Sequence, residues 1–190
     1  MNFYNCTKSD VCTIIPVICL MGDNLTGLEL GVFEGASFLT LLHNCPNIKK
    51  LYGVDAYKPY KDYIKANYDG SIAMSVDEPS IEITKAVSYI RQKHSGMTEK
   101  IVFYEEDSEV ALQKFEPESL DFIFLDAYLN YEHAQRDIKN WYRTVKKGGL
   151  FAGHDWDCPA IQQAVNDFRN ENDIQDRMMT YNNTWAWFKS

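Results

Sequence analysis

A chain of 190 residues, 45% of them hydrophobic and 14% aromatic, is long enough for one globular domain with a substantial core and needs no second. Its 27 acidic side chains against 19 basic ones give a formal net charge of -8, which argues against a nucleic acid or an anionic membrane as partner. Five cysteines, Cys6, Cys12, Cys19, Cys45 and Cys158, form no C-x-x-C pair and have no histidine at zinc-finger spacing, so reduced thiols in a cytoplasmic protein are expected.

Residues 11–21 are an apolar run with Lys8 upstream, but Pro16 interrupts it and Gly22-Asp23-Asn24 offers no small-residue cleavage site. The run is too short to span a bilayer. Residues 1–24 therefore read as a leading arm or helix, and residues 25–190 as the single domain. Leu28 and Leu30 belong to a buried strand that ends in a turn bearing Gly31 and Gly35, and Ser37 to Leu42 open a helix whose free amide groups face a ligand. A dinucleotide-binding turn needs a third glycine, and Glu34 inside this one repels phosphate. A ligand with a cationic amino-acid head suits the acids better. The next strand, Leu51 to Asp55, ends on an acid placed to accept both hydroxyls of a ribose.

Residues 57–80 carry Tyr57, Tyr60, Tyr63 and Tyr68 among Lys58, Lys61 and Lys65 with little period, and read either as a substrate-side lid or loop or as aromatic surface cover. Pro79 and Ser80 open a helix in which Ile83, Ala86, Val87 and Ile90 recur at helical spacing, and Gly96 ends it. Ile101 to Tyr104 is a third strand, with Asp107 and Ser108 capping the helix after it. Leu120 to Leu125 is apolar apart from Asp121, as a strand buried on both faces must be, and delivers Asp126 at its carboxyl end. An acid there is costly without a partner, which favours a functional role. Tyr131, Ala134, Ile138, Trp141, Tyr142 and Val145 mark the inner face of a helix that Lys146 and Lys147 close and Gly148 stops. Leu150 to Gly153 is the next strand, with His154 and Asp155 at its end. A helix follows from Pro159, and a hairpin around Asn182-Asn183 finishes the chain. Strands alternating with helices predict an α/β fold, a parallel sheet covered on both faces.

The ordered set Glu29 to Ser37, Tyr52 to Tyr57, Glu106-Asp107-Ser108, Leu120 to Ala127 and Lys146 to Asp155 resembles the motifs of class I S-adenosylmethionine-dependent methyltransferases. Within them it is most similar to the small bacterial branch that shares its core with catechol-type O-methyltransferases. The resemblance implies a three-layer Rossmann-like fold with a mostly parallel seven-stranded sheet and an antiparallel strand from the C-terminal hairpin. It also implies a methyltransferase that moves a methyl group from S-adenosylmethionine to a small-molecule acceptor, most simply a hydroxyl. By the same resemblance Glu29, Gly31, Gly35 and Ser37 hold the methionine part, Asp55 holds the ribose, Asp107 and Ser108 lie by the adenine, and Asp126 lies beside the methyl. For the chemistry two routes stay open: His154 as base, or Asp126 and Asp155 holding a divalent ion such as magnesium. Leu129 stands where related proteins carry a histidine, and His154-Asp155-Trp156 stands where metal-dependent catechol-type enzymes carry an Asp-Asn pair. His133 reads as a surface histidine, and His43 and His94 have no recognisable context. The other readings are a cofactor-binding protein without catalysis and a nicotinamide-dependent oxidoreductase.

Overall fold

The computed structural model describes residues 10–58, 65–66, 72–73 and 78–190. The β-branched and leucine-rich runs form the strands β1 (Leu25–Leu30), β2 (Ile48–Val54), β5 (Ile101–Tyr104), β6 (Leu120–Leu125) and β7 (Val145–Gly153), while Lys65–Ala66 (β3) and Ile72–Ala73 (β4) form a separate antiparallel pair. The helices are α1 (Ile15–Cys19), α2 (Ala36–Asn44), α3 (Glu78–Lys93), α4 (Ser108–Leu112), α5 (Tyr131–Trp141) and α6 (Pro159–Glu171). The final hairpin is β8 (Met179–Tyr181) and β9 (Thr184–Phe188).

The main sheet has seven strands in the order β5-β2-β1-β6-β7-β9-β8. Its first five strands are parallel, and β9 enters antiparallel between β7 and β8. Successive residues face opposite sides, so each central strand feeds two cores. Leu28, Leu30, Ile123 and Phe151 pack with Ile138, Trp141, Val165 and Phe168 of α5 and α6 on one face. Phe122, Phe124, Leu150 and Ala152 pack with Ile14, Ile18, Phe38 and Leu41 of the leading segment and α2 on the other. Within that leading segment only residues 1–9 lie outside the described residues, as does most of the lid expected over 57–80. No helix among the described residues is long and apolar enough to cross a membrane.

Three expectations are corrected. The helix read as running to Lys147 ends at Trp141, and Lys146, Lys147 and Gly148 lie in β7. The strand ladder wins there: Val145 pairs with Leu120, Lys146 Nζ lies 2.7 Å from Asp121 Oδ1, and the Gly148 amide donates to the Lys189 carbonyl. Cys12 is disulfide-bonded whereas Cys19, Cys45 and Cys158 are free, because an odd total leaves room for a pair beside unpaired thiols. In α3 the apolar stripe does not face the core as a unit: Ile83 and Ile90 are exposed and Val87 is half-buried, while Ile81, Thr84, Ser88 and Gln92 are buried, with Gln92 Nε2 donating to Ser88 Oγ at 3.0 Å.

The register between β1 and β6 sets Gly27 opposite Phe122, and a Cβ on Gly27 would sit 2.0 Å from the Phe122 ring, which is fully buried. Gly27→Ala is expected to lower the unfolding free energy by roughly 1–3 kcal/mol in urea melts. An unchanged midpoint would mean that the ring has room to move.

Candidate functional site

The carboxyl ends of β1, β2, β6 and β7 meet at one edge of the sheet, and the turn after β1 is its centre. Gly31 (φ 86°) donates its amide to the Val54 carbonyl, and a Cβ there would lie 2.0 Å from the Asp126 carbonyl oxygen. Only glycine allows that approach. Gly35 (φ 78°) precedes the first residue of α2, and its amide donates to Val32 O at 2.8 Å. Between the two glycines, Asp55 organises the backbone. Its Oδ2 accepts from Val32 N at 2.9 Å and Phe33 N at 2.8 Å, and its Oδ1 accepts from Tyr57 N at 2.9 Å. Burial pushes the Asp55 carboxyl up from its ordinary value, and these three amides pull it back down. Helix α3 supports the turn from outside. Arg91 donates to the Glu34 carbonyl at 3.0 Å and pairs with the Glu34 carboxylate at 3.1 Å, while the buried Ser88 packs beside Gly35.

Glu29 lies behind this turn on the α2 face of the sheet, fully buried. Ser37 Oγ donates to Oε1, and Oε2 has no partner among the described residues. Burial above all, with the charges of Asp126 and Asp55, holds the Glu29 carboxyl well above the usual carboxylate range, against the Ser37 hydrogen bond and the opposite charge of His154. Glu29, Gly35 and Ser37 are thus second in line from the open cleft and do not line it.

The cleft itself encloses about 230 Å³ beside the turn, between Gly31 and Asp55 on one side and Asp107, Ser108, Tyr128 and Asp137 on the other. Asp107 begins α4 through its backbone, but its side chain makes no capping bond and pairs instead with Lys58 Nζ, which corrects the expected side-chain cap. Ser108 Oγ accepts from Trp141 Nε1 at 2.8 Å and donates to Asp137 Oδ1 at 2.7 Å. Burial raises the Asp137 carboxyl, and Ser108 and Arg136 oppose that rise.

Two lining residues, Tyr128 and Asp137, escaped the sequence reading, and His133, read there as a surface histidine, is half-buried at the cleft, where Tyr128 stacks on it with ring centroids 4.5 Å apart. Tyr128 was within reach of inference, two residues beyond Asp126. Asp137 also carried a signal, because it falls on the apolar stripe of Ala134, Ile138 and Trp141 where an acid needs a reason.

At the far end of the site, Leu125 pairs with Gly153, and the His154 amide donates to Leu125 O at 2.9 Å. This brings His154 Nδ1 to 3.2 Å from Asp126 Oδ1 and 3.3 Å from Asp155 Oδ1. Burial works to lower the His154 pKa, but the hydrogen bonds and charges of both carboxylates outweigh it and push it up to about 11. An imidazolium in that state has no lone pair with which to accept a proton. One ligand atom from each of Asp126, His154 and Asp155 lies within 4.8 Å of the others, an oxygen and nitrogen donor set that suits a divalent cation. The loop is fixed from the C-terminal hairpin. Asn183 accepts from Trp156 N through its carbonyl and from Asp157 N through its side chain, at 3.1 and 2.8 Å, and Trp185 Nε1 donates to His154 O at 3.0 Å. Asp155 itself sits at φ 58°.

Residues 28–156 match a protein family described as a methyltransferase domain. An uncharacterized protein of Acanthamoeba polyphaga mimivirus is 25% identical over 150 residues; the alignment covers 76% of this chain and spans 59% of that relative's length. Among solved structures, the O-methyltransferase NovP superposes with a TM-score of 0.71 at 19% identity over 95% of this chain and 79% of that one. The O-methyltransferase TomG from Streptomyces achromogenes, involved in tomaymycin synthesis and solved with SAM, gives 0.64 at 14% over 95% and 79%. An O-methyltransferase from Bacillus cereus in complex with SAH gives 0.64 at 13% over 94% and 80%. At these identities the likeness is one of fold.

The buried Glu29 makes a testable link between site and stability. Its folded pKa is raised, so the folded chain keeps a proton that the unfolded chain has already lost, and stability falls as pH climbs from the ordinary carboxylate range toward that raised value. Thermal melts of Glu29→Gln between about pH 5 and pH 8 are expected to decline less steeply than those of the unmodified protein. Equal slopes would mean that Glu29 is ionised in the folded state.

Proposed function

The chain belongs to this methyltransferase-domain family, and on that footing we propose that it transfers the methyl group of S-adenosylmethionine to a hydroxyl of a small-molecule acceptor. The observation that carries the reading is the convergence of Asp55, Asp126 and the His154-Asp155 pair, from the carboxyl ends of three parallel strands, on the cleft and cavity beside the Gly31 turn. The residues fit the cofactor. Gly31 presents bare backbone to the cleft where a side chain has no room, which suits a ligand needing close approach, and Glu29 stands one layer behind with a buried oxygen that has no partner among the described residues.

In this assignment Glu29, Gly31, Gly35 and Ser37 serve the methionine part, Glu29 and Ser37 from behind the turn. Asp55 takes the ribose hydroxyls with the lone pairs its three amides leave over. Asp107, Ser108 and Tyr128 flank the adenine, and Asp126 faces the methyl. Once bound, the sulfonium supplies an electrophilic methyl group. The acceptor oxygen must approach in line and lose its proton as the bond forms.

Leu129 is buried in the core and offers no base. Asp126 and Asp155 push the His154 pKa up, so His154 serves as base only after losing its proton, and the same loss would let Asp126, His154 and Asp155 hold a divalent cation that would lower the pKa of the acceptor hydroxyl when bound. The cation and a proton compete for the His154 nitrogen, so its binding releases a proton and weakens as pH falls. A protein that binds the cofactor without turning it over is the second reading, favoured by Leu129. A nicotinamide-dependent oxidoreductase finds no support in the family match.

Calorimetry with S-adenosylhomocysteine tests the assignment. The unmodified protein is expected to bind, and Asp55→Ala to weaken binding about tenfold or more. Unchanged affinity would remove Asp55 from the site, and no binding by either protein would overturn the reading. His154→Ala is expected to leave that affinity within about twofold while lowering magnesium-dependent turnover roughly a hundredfold across a panel of hydroxylated acceptors. Turnover equal to that of the unmodified protein would exclude His154 from the chemistry.

A further inference from the structure

Two free thiols meet at the edge of the sheet opposite the cleft. Cys19 is the last residue of α1, just ahead of β1, and Cys45 follows the last residue of α2, just ahead of β2. Each sulfur rests on the other's segment. Cys19 Sγ lies 3.4 Å from Asn44 O, the carbonyl bonded to the Cys45 nitrogen. Cys45 Sγ lies 4.0 Å from Ile15 O, one helical turn before Cys19. The two thiols are also within hydrogen-bonding reach of each other. Asn47 fixes this geometry: its Nδ2 donates to Ile18 O at 2.9 Å and to Gly22 O at 2.7 Å, which ties the end of α1 to the connection between α2 and β2.

The two sulfurs differ in access. Cys19 is exposed, whereas Cys45 is fully buried in the cluster that holds Ile14, Ile18, Leu41 and Leu42. Burial, with the Cys19 thiol beside it, holds the Cys45 thiol above its ordinary pKa. A reagent in solution therefore meets Cys19 first and Cys45 only through it. The leading segment that carries Cys19 already carries the disulfide of Cys12.

We propose that Cys19 and Cys45 form a further disulfide site, closed by exchange with a small disulfide such as glutathione disulfide. The Cys19 thiolate attacks one glutathione sulfur, a mixed disulfide forms and one glutathione leaves. The Cys45 sulfur then attacks the Cys19 sulfur and expels the second. Two protein thiols are oxidised, one glutathione disulfide is reduced to two glutathiones, and the two thiol protons go with them. Cys45 gives up its proton reluctantly, so closure is slow, and as a poor and shielded leaving group it makes reopening slow as well. The bond encloses residues 19–45, which contain β1, the turn with Gly31 and Gly35, and α2. It restricts the unfolded chain across that span and leaves the cleft open, since neither cysteine lines it.

The full chain incubated with glutathione disulfide tests this, once remaining thiols are alkylated and the unfolded protein is cut after Glu29 and Glu34, which places Cys19 and Cys45 on separate peptides. The unmodified protein is expected to yield a linked pair that dithiothreitol releases, and before cutting to melt roughly 5 °C or more above the untreated protein. Cys19→Ser removes only the exposed sulfur and is expected to give neither the link nor the rise. A glutathione adduct that persists on Cys19 without a link, or a pair of thiols left unchanged, overturns the proposal. So does a link that survives in Cys19→Ser, or one that leaves the melting temperature where it was.

Discussion

The three amide hydrogen bonds accepted by Asp55 are the constraint on which this site rests. A turn bearing two glycines has more conformations than any other stretch of the edge, and without an anchor its backbone would not hold one of them. The carboxylate of Asp55 ties Val32 and Phe33 to the end of the neighbouring strand and gathers Tyr57 as well. Tyr57 returns the contact through its hydroxyl, which donates to Phe33 O at 2.8 Å. Charge-assisted bonds of this kind are about twice as strong as neutral ones. The shape of the cleft follows from one side chain and the strand that delivers it.

The electrostatics of the edge are otherwise unfavourable. Glu29, Asp55, Asp126 and Asp155 are brought together with His154 as the single cation among them that the described residues supply at close range. Burial and mutual repulsion lift the carboxyls of Glu29 and Asp55, so both work against the charged form there. Such a site is less stable without its ligand than a neutral one would be. The same imbalance would be relieved by a positively charged ligand.

Much of this was legible in the sequence. Leu28 and Leu30, the turn glycines Gly31 and Gly35 and the run Ser37 to Leu42 identified strand, turn and helix, and the apolar run before Asp126 identified a central strand that ends on an acid. The hairpin at Asn182-Asn183 was readable from its turn residues. What failed did so for physical reasons. Periodicity reports that α3 is a helix but not which face is inside, because Thr84, Ser88 and Gln92 keep the same period as the isoleucines. Lys146-Lys147-Gly148 has the chemistry of a helix end, yet pairing with β6 and the ion pair to Asp121 placed it in a strand. The protonation of His154 depends on two carboxylates, one of them 28 positions away in the chain, and no spacing rule supplies that distance.

The loop after β7 has a further consequence, which concerns when the site comes into being. Its backbone is fixed by Asn183 and Trp185, so the His154-Asp155 corner is held by groups that follow β7 in the chain and are translated after it. A nascent chain that has completed β1 to β7 already owns the turn and most of the cleft, but its charged corner is untethered until β9 has left the ribosome and paired with β7. A chain cut before β9 therefore lacks the bonds from Asn183 and Trp185 that hold this corner.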